Sequence, residues 1–365
     1  MIGTCRRFGT LLGASLLMGA AWAATLAPAV ALDKVVYGTA SRVGLVNSAM
    51  YAAEELGFFK EEGIELETIQ FDGTGVLLPQ MANKSIMVGY PIPDFLISSH
   101  DVGKDPLPLK FFYNVTRLYN WQIIVPEGSP IKTLKDLKGK KIGVVSLSTG
   151  NVPVTRSMLR EAGLNPGTDV ELVSVGQGPA AVNAFKSGQI DALNQFDVVH
   201  SQIEASGIPI RRLELPEKYR VLSGNSFAAH VDTIRDKPDL LKRFGRAYTK
   251  GLIVCEINPE GCIRAAWRLH PTIKPANGGN AKEMSDSVRI MSDNLRHKLP
   301  AGDPKSRRYG EFIPESWKTN IAILAENGLL KRTDVSLDVL FTNDFVPDFG
   351  KIDYDKLVAF AKTLK

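Results

Sequence analysis

The residues that offer the most chemistry lie where a strand pattern gives way to a helix pattern, in the segment "SLSTG". The first amides of a helix lack partners within the helix. Together with neighbouring hydroxyl groups, they hold the oxygens of a sulfonate, phosphate or carboxylate. We therefore predict that Ser146, Ser148, Thr149 and Gly150 contact an anion. Ordinary N-capping, in which a hydroxyl satisfies the helix's own amides, is the alternative.

Other candidate residues follow other predicted strands. Arg42 offers a planar guanidinium that can bind an anion through two hydrogen bonds, or it is a solvated surface charge. The aromatic candidates stack on a planar ligand or pack in the core, and core packing is our interpretation for Phe196. The further predicted ligand-binding residues are Ser41, Arg42, Gly73, Thr74, Gly75, Tyr90, Asp94, Tyr119, Trp121, Gln177, Asn194 and Asp197.

The sequence lacks the residue patterns of common catalytic and metal sites. Its five histidines are scattered without metal-ligand spacing. It contains neither a Gly-x-Ser-x-Gly nor a His-Glu-x-x-His motif. The Gly-x-Gly triplets at 73–75 and 176–178 lack the spacing of a dinucleotide or phosphate loop. We therefore expect no enzyme activity, no cofactor and no metal.

Two similar runs of alternating strand and helix patterns position the candidate residues. The first passes from "VVYGT" through "IELETIQF" to "SIMVGY", and the second from "KIGVV" through "VELVSV" to "IDALN". Such alternation produces parallel sheets that bind ligands at the carboxyl ends of their strands. We predict an α/β protein with two Rossmann-like βαβαβ lobes, whose candidate residues face each other across a cleft.

The rest of the chain connects and extends these lobes. Two strand-like stretches, "LPLKFFYNVTRLYNWQIIV" and "YRVLSGNSFAAH", predict two crossings that form a hinge and permit closure. We expect a first lobe at 32–125, a second lobe at 126–223, and a return to the first lobe with C-terminal helices at 224–365.

The N-terminus indicates export. Arg6 and Arg7 precede a long apolar run that ends in "AVA", as in a secretory signal peptide cleaved after Ala31. An uncleaved membrane anchor is the alternative. The formal net charge is +5 without a basic run, so we expect no nucleic-acid partner.

Two cysteines, Cys255 and Cys262, follow the expected signal peptide. An exported protein with an even pair favours a disulfide, and the Asn258–Pro259 break brings their helices together. Two small buried side chains are the other interpretation.

Several sequence segments resemble those of one known family. "YAAEELGFFKEEGIELE", "GSPIKTLKDLKGKKIGVVSLSTG" and "AFKSGQIDAL" are similar to the substrate-binding proteins of ABC importers in the nitrate/sulfonate/taurine and thiamine-precursor (NMT1/THI5-like) group. The resemblance covers almost all of the chain after residue 31. One departure is Met87, at a position where the family usually has an acid like Asp191.

The resemblance implies a type II periplasmic-binding fold and a monomer in the periplasm. Such a protein captures a small molecule and delivers it to an inner-membrane permease, and the group's ligands include oxyanions, sulfonates, aromatic acids and pyrimidines. Arg42 and the Ser146–Gly150 loop favour an anion, so we expect a small organic anion, for example a sulfonate or an aromatic carboxylate. One alternative is an enzyme of the same fold, similar to thiamine-pyrimidine synthase, whose cysteine-rich motif is absent here. Another is an exported ligand sensor.

Mass spectrometry of the exported protein tests the predicted processing. We expect Leu32 as the N-terminal residue, because the small-residue ending "AVA" is the type of site that signal peptidase cleaves. Recovery of the whole chain from the membrane fraction would support the anchor alternative.

Overall fold

The computed structural model describes residues 32–365, so the expected signal peptide and its cleavage site lie outside the described residues. None of the helices in that range is both long and apolar enough to cross a membrane. The strands are β1 (Asp33–Thr39), β2 (Ile64–Gln70), β3 (Val88–Tyr90), β4 (Leu109–Tyr113), β5 (Trp121–Pro126), β6 (Lys140–Val144), β7 (Val170–Ser174), β8 (Ala192–Phe196), β9 (Ile210–Arg212) and β10 (Phe227–His230).

The helices connect and flank these strands. Up to β10 they are α1 (Ser48–Glu55), α2 (Phe58–Glu61), α3 (Thr74–Ala82), α4 (Pro93–Ser99), α5 (Val152–Glu161), α6 (Pro179–Lys186), α7 (Asp197–Ala205) and α8 (Glu217–Arg220). After β10 they are α9 (Val231–Asp236), α10 (Pro238–Ile257), α11 (Pro259–Leu269), α12 (Ala281–Arg296), α13 (Pro314–Glu326), α14 (Leu337–Leu340), α15 (Val346–Phe349) and α16 (Tyr354–Thr363).

The strands form two five-stranded sheets of equivalent topology. In the first, ordered β2-β1-β3-β10-β4, β1 pairs in parallel with β2 and β3, and β10 is antiparallel to β3 and β4. In the second, ordered β7-β6-β8-β5-β9, β6 pairs in parallel with β7 and β8, and β5 is antiparallel to β8 and β9. The prediction of two βαβαβ lobes is therefore confirmed.

Both faces of each sheet are covered, so the central strands need residues that can be buried. Every residue of β3 and β8 is buried, and the apolar residues of these strands fit this position, although β8 also buries the amide side chains of Asn194 and Gln195. The outermost strands β2 and β7 each begin with a buried residue, and the rest of each strand is exposed or half-buried. Because the parallel strands of a lobe point the same way, their carboxyl ends and following loops lie at one edge.

The chain crosses between the sheets twice, first between β4 and β5 and again between β9 and β10. These crossings span 114–120 and 213–226. The boundary expected at residue 125 therefore falls inside β5, which pairs with β8 and β9 of the second sheet. The described structure has no strand within either crossing. The two segments are hydrogen-bonded to each other, and the amide of Thr116 donates to the carbonyl of Asn225 at 3.0 Å.

The C-terminal helices complete the first lobe and also contact the second. Helix α10 packs against α1, α11 and α16, while α12 packs against α11 on one side and α7 of the second lobe on the other. Trp317 of α13 packs edge-on against Phe111 of β4, with ring centroids 5.3 Å apart. These contacts extend the first lobe's core to the end of the chain, as the predicted helical extension requires.

A disulfide joins Cys255 of α10 to Cys262 of α11, and both residues are fully buried. Asn258 lies in the break between these helices. Its side chain accepts a hydrogen bond from the amide of Gly261 at 2.8 Å and donates to the carbonyl of Ala361 at 2.9 Å. The bridge therefore stabilises a turn that anchors the last helix.

Thiol counting on processed, denatured and unreduced protein should find no free thiol, because Cys255 and Cys262 are the two cysteines after residue 31. Replacing both by serine should lower the free energy of unfolding by about 2–4 kcal/mol, because the bridge restricts the unfolded chain. Urea denaturation measures this loss. The reduced sample is the control and must give two thiols; two thiols without reduction would contradict the bridge.

Candidate functional site

A cavity of about 220 Å3 lies between the two lobes, at the carboxyl ends of their parallel strands. Loops after β1, β2 and β3 form one wall, loops after β6 and β7 with the last residue of β8 form the other, and the crossings contribute the rest. The lining residues are Ala40, Ser41, Arg42, Val46, Phe71, Asp72, Gly73, Thr74, Tyr90, Ile92, Thr116, Asn120, Trp121, Val145, Ser146, Thr149, Gly150, Asn151, Gly176, Gln177, Phe196 and Asn225.

Most of the residues that the sequence marks as ligand-binding lie around this cavity. Those lining it are Ser41, Arg42, Gly73, Thr74, Tyr90, Trp121, Ser146, Thr149, Gly150 and Gln177. Those outside the lining are Gly75, Asp94, Tyr119, Ser148, Asn194 and Asp197. The structure thus brings the loops of both repeats together, and it places several of their polar residues behind the wall.

The hydroxyl side chains of the loop Ser146–Gly150 bond to each other rather than to the helix. Oγ of Ser146 lies 3.0 Å from Oγ of Ser148 and 3.0 Å from Oγ1 of Thr149. Helix α5 begins later, at Val152, and the side chain of its N-cap residue, Asn151, does not cap it. The N-capping alternative is therefore wrong for this loop, and Thr149 instead accepts a hydrogen bond from the amide of Ser146 at 3.0 Å.

Two backbone amides next to this cluster are available to a ligand. The amides of Gly150 and Asn151 donate to no other residue in the range 32–365, although both residues line the cavity. They precede the first turn of α5, where the helix dipole favours negative charge. Position 150 also requires glycine, because a Cβ there would overlap the side chain of Ile92 in the first lobe.

The first lobe contributes a similar loop before α3. Gly73 has a φ of 102°, which side chains other than glycine rarely adopt, and α3 starts at the next residue. The hydroxyl of Thr74 accepts a hydrogen bond from the amide of Ile92 at 3.2 Å. Gly75 lies inside the first turn of α3 and does not reach the cavity.

The charged lining residues lie at the solvent side of the site. Arg42 and Asp72 approach to 3.7 Å, and their side chains are 73% and 86% exposed. An ion pair this exposed contributes little stability, so the guanidinium is free to reorient toward a ligand.

Aromatic side chains form the apolar part of the wall. The ring of Trp121 meets that of Phe196 edge-on, with centroids 5.3 Å apart. The hydroxyl of Tyr90 lies 3.0 Å from that of Thr116, and burial raises the pKa of Tyr90 well above its usual value. Phe196 is buried, as the core interpretation expects, yet it also lines the cavity.

Asp197 lies behind the wall, where it joins several elements. Its carboxylate accepts hydrogen bonds from Asn120 at 3.0 Å and from Asn294 at 3.0 Å, and His297 lies 3.0 Å away. Burial alone would raise the pKa of Asp197, but the His297 contact, the Asn294 hydrogen bond and the charge of Lys298 together lower it. Asp197 is therefore an ionised structural group and has no surface in the cavity.

The remaining residues outside the lining are also accounted for by local packing. Asn194 accepts a hydrogen bond from Asn151 at 2.6 Å, so it positions a lining residue. Ser148 is exposed, and Tyr119 is buried with its hydroxyl unpaired among residues 32–365. The lining residues that the sequence analysis missed include Thr116, Asn120 and Asn225 of the crossings, which have no counterpart in the repeat.

Two α/β lobes of this topology, joined by two crossings around a cavity, define the type II periplasmic-binding fold. The chain belongs to the NMT1/THI5-like family, whose model matches residues 46–262, more than half of its length. Comparison with curated protein sequences finds no match.

Solved structures similar to this chain share its fold. A protein from Bordetella bronchiseptica RB50 has a TM-score of 0.68 at 20% identity, covering 87% of this chain and 97% of its own. The alkanesulfonate-binding protein SsuA from Xanthomonas axonopodis pv. citri, bound to MOPS, has a TM-score of 0.63 at 17% identity, covering 85% and 98%. The nitrate-binding protein NrtA from Synechocystis PCC 6803 has a TM-score of 0.60 at 15% identity, covering 93% and 100%.

Asp94 is buried beside α13, where Asn320 donates a hydrogen bond to Oδ1 at 2.8 Å and Oδ2 has no partner in the described range. Burial raises the pKa of Asp94 to about 7, against the opposing effect of the Asn320 hydrogen bond. The unfolded carboxyl has a pKa of about 3.9. Between these values the folded state binds more protons, so this group's contribution to stability falls as the pH rises.

Replacing Asp94→Asn should remove this pH dependence. The difference in free energy of unfolding, variant minus parent, should increase by about 2–3 kcal/mol between about pH 5 and pH 7. Urea denaturation across that range measures the difference. The control is Asp105→Asn, which makes the same substitution on an exposed loop. A difference for Asp94→Asn that does not change with pH would contradict the prediction.

Proposed function

We propose that this protein is the periplasmic substrate-binding component of an ABC importer. It captures a small organic anion in the cavity between its lobes and delivers it to a permease in the inner membrane. The observation that carries the proposal is the pair of amides at Gly150 and Asn151, which donate to no residue in the range 32–365 and lie next to the hydroxyl cluster of Ser146 and Thr149 on the cavity wall. Amides and hydroxyls arranged in this way bind anionic oxygens.

The rest of the wall supports a small ligand with an apolar body. The cavity volume of about 220 Å3 lies below the range of roughly 300–1,000 Å3 found for drug-sized ligands. Trp121 and Phe196 supply apolar aromatic surface, while Arg42 supplies a cation at the solvent side. A sulfonate or an aromatic carboxylate fits this combination. The alkanesulfonate- and nitrate-binding proteins of the same fold also favour an anionic ligand.

The lining favours binding without chemistry. Among residues 32–365 it contains no histidine, cysteine or lysine, and the one carboxylate of these residues in the lining, Asp72, is exposed and lies near Arg42. A nucleophile beside a general base, which covalent hydrolysis needs, is thus missing from the lining. We therefore propose release of an unaltered ligand, in preference to the enzyme alternative.

A thermal-shift screen of sulfonates, aromatic carboxylates, oxyanions and pyrimidines tests the proposal, because a ligand that binds the folded state raises its apparent stability. Mass spectrometry after long incubation should recover each hit unchanged. X-ray scattering should give a smaller radius of gyration with saturating ligand than without it. Chemical alteration of the hit, or no hit among the anions, would contradict the proposal.

Removing the Ser146 and Thr149 hydroxyls together should weaken binding of the best screened anion by at least about tenfold, since one hydrogen bond to a charged group contributes roughly 1.5–3 kcal/mol. Isothermal titration calorimetry measures the loss. The fold should survive, because these hydroxyls bond to each other and to the loop.

The matched control is Thr168→Ala with Ser187→Ala, which removes two exposed hydroxyls of the same lobe outside the cavity. This control should bind like the parent protein. Parent-like affinity in the Ser146 and Thr149 double variant would show that this loop does not hold the anion.

A further inference from the structure

The two lobes touch beside the cavity, where Ile92 of the first lobe lies against the backbone of Gly150 of the second. Ile92 is buried, and both residues belong to the cavity lining. A Cβ on Gly150 would overlap Cγ2 of Ile92, and it would lie 3.3 Å from Cβ of Ile92 and 3.5 Å from the ring of Phe95. The lobes are therefore in van der Waals contact next to the amides of Gly150 and Asn151.

The chain around Ile92 is rigid. It reads Pro91-Ile92-Pro93, in which each proline ring fixes a φ angle and the second proline confines Ile92 to an extended conformation, with φ −84° and ψ 149°. The amide of Ile92 donates to the hydroxyl of Thr74 at 3.2 Å, and the carbonyl of Pro91 accepts from the amide of Ser226 at 3.1 Å. Because isoleucine is β-branched, its χ1 rotamers are also restricted. The Ile92 side chain is thus a fixed projection of the first lobe.

Other contacts between the lobes involve side chains that can adjust. Arg160 of α5 donates to the carbonyl of Asn327 at 3.3 Å, and Ser201 of α7 donates to the carboxylate of Asp293 at 2.9 Å. Rotation about side-chain torsions lets such bonds change as the lobes move. The contact at Gly150 joins a restricted side chain to backbone, and atoms already in van der Waals contact repel steeply when they approach further.

On the basis of the proposed function, we propose that Ile92 is a positioning residue that stops the closing movement of the lobes. When Gly150 meets Ile92, the second lobe can approach no further, and the amides of Gly150 and Asn151 stand at a fixed distance from the first lobe. Hydrogen bonds require a narrow range of distance and angle, so this spacing determines how well the amides bond an anion that both lobes hold. Ile92 acts through Gly150 and does this without bonding the anion itself.

The need for glycine at position 150 comes from the opposite lobe and not from its own backbone. Gly150 is not among the glycines of the described range with a positive φ, so an alanine there brings no backbone strain. The added methyl group would meet Ile92 and hold the lobes apart. A gain of volume at position 150 is therefore offset by a loss of volume at position 92.

Titration calorimetry with ethanesulfonate and benzoate tests the inference. Gly150→Ala should weaken binding of the tighter probe at least about tenfold, the equivalent of one lost hydrogen bond to a charged group. Adding Ile92→Ala, which removes Cγ2, should restore most of the affinity, because the remaining Cβ at 3.3 Å requires only a small shift. Adding Ile92→Val instead keeps both branches at Cβ and should restore little.

X-ray scattering follows the movement itself. With saturating ethanesulfonate or benzoate, whichever binds more tightly, Gly150→Ala should keep a larger radius of gyration than the parent, and the double variant with Ile92→Ala should return to the parent value. The matched control is Gly128→Ala on an exposed turn of the second lobe, where an added Cβ has no atom within 4 Å. This control should bind and close like the parent.

Ile92→Phe enlarges the same contact from the first lobe, and it should weaken binding as Gly150→Ala does, so the inference is tested even if Gly150→Ala is unstable. Parent-like affinity in both variants, or a loss in Gly150→Ala that Ile92→Ala does not reverse, overturns the inference and leaves the proposed capture of anions standing. Absence of binding of both probes to the parent protein overturns both.

Discussion

The hydrogen bonding of the two crossings at Thr116 is the constraint on which the arrangement of the lobes depends. The amide of Thr116 donates to Asn225 and its carbonyl accepts from Gly224, so the segments run side by side between the sheets. The contact is close, since a Cβ on Gly224 would lie 2.8 Å from Cγ2 of Thr116. This pairing sets the position of one lobe relative to the other, and it places polar side chains of both crossings at the cavity.

Behind the cavity, the buried charge of Asp197 is satisfied by residues from several parts of the chain. Asn120 comes from a crossing, while Asn294 and His297 come from α12 and the residue after it. Lys298 lies nearby, where burial lowers its pKa to about 8 against the raising effect of Asp197, and it donates to the carbonyl of Val46. A buried charge without such partners is strongly unfavourable, and the packing of α12 on both lobes brings Asn294 to Asp197.

The sequence was informative about features that repeat and uninformative about contacts between distant segments. The alternating patterns predicted the two sheets and the loops at the cavity, because periodicity and glycine turns are local properties. Asp94 and Asp197 are bonded to Asn320 and Asn294, which lie more than ninety residues away in the sequence. The sequence does not reveal these partners, and the prediction of ligand contact therefore rested on loop position alone. Asn120 and Asn225 lie outside the repeat, and only the paired crossings show that they reach the cavity.

The strand order also has a consequence for how the chain assembles during synthesis. All five strands of the second sheet lie between Trp121 and Arg212, so that lobe has its complete sheet as a continuous stretch. In the first sheet, β10 separates β3 from β4, and β4 has no neighbouring strand until Phe227–His230 has been made. The lobe that begins the chain is therefore the later of the two to finish, and until then β3 and β4 expose edges that invite wrong pairing.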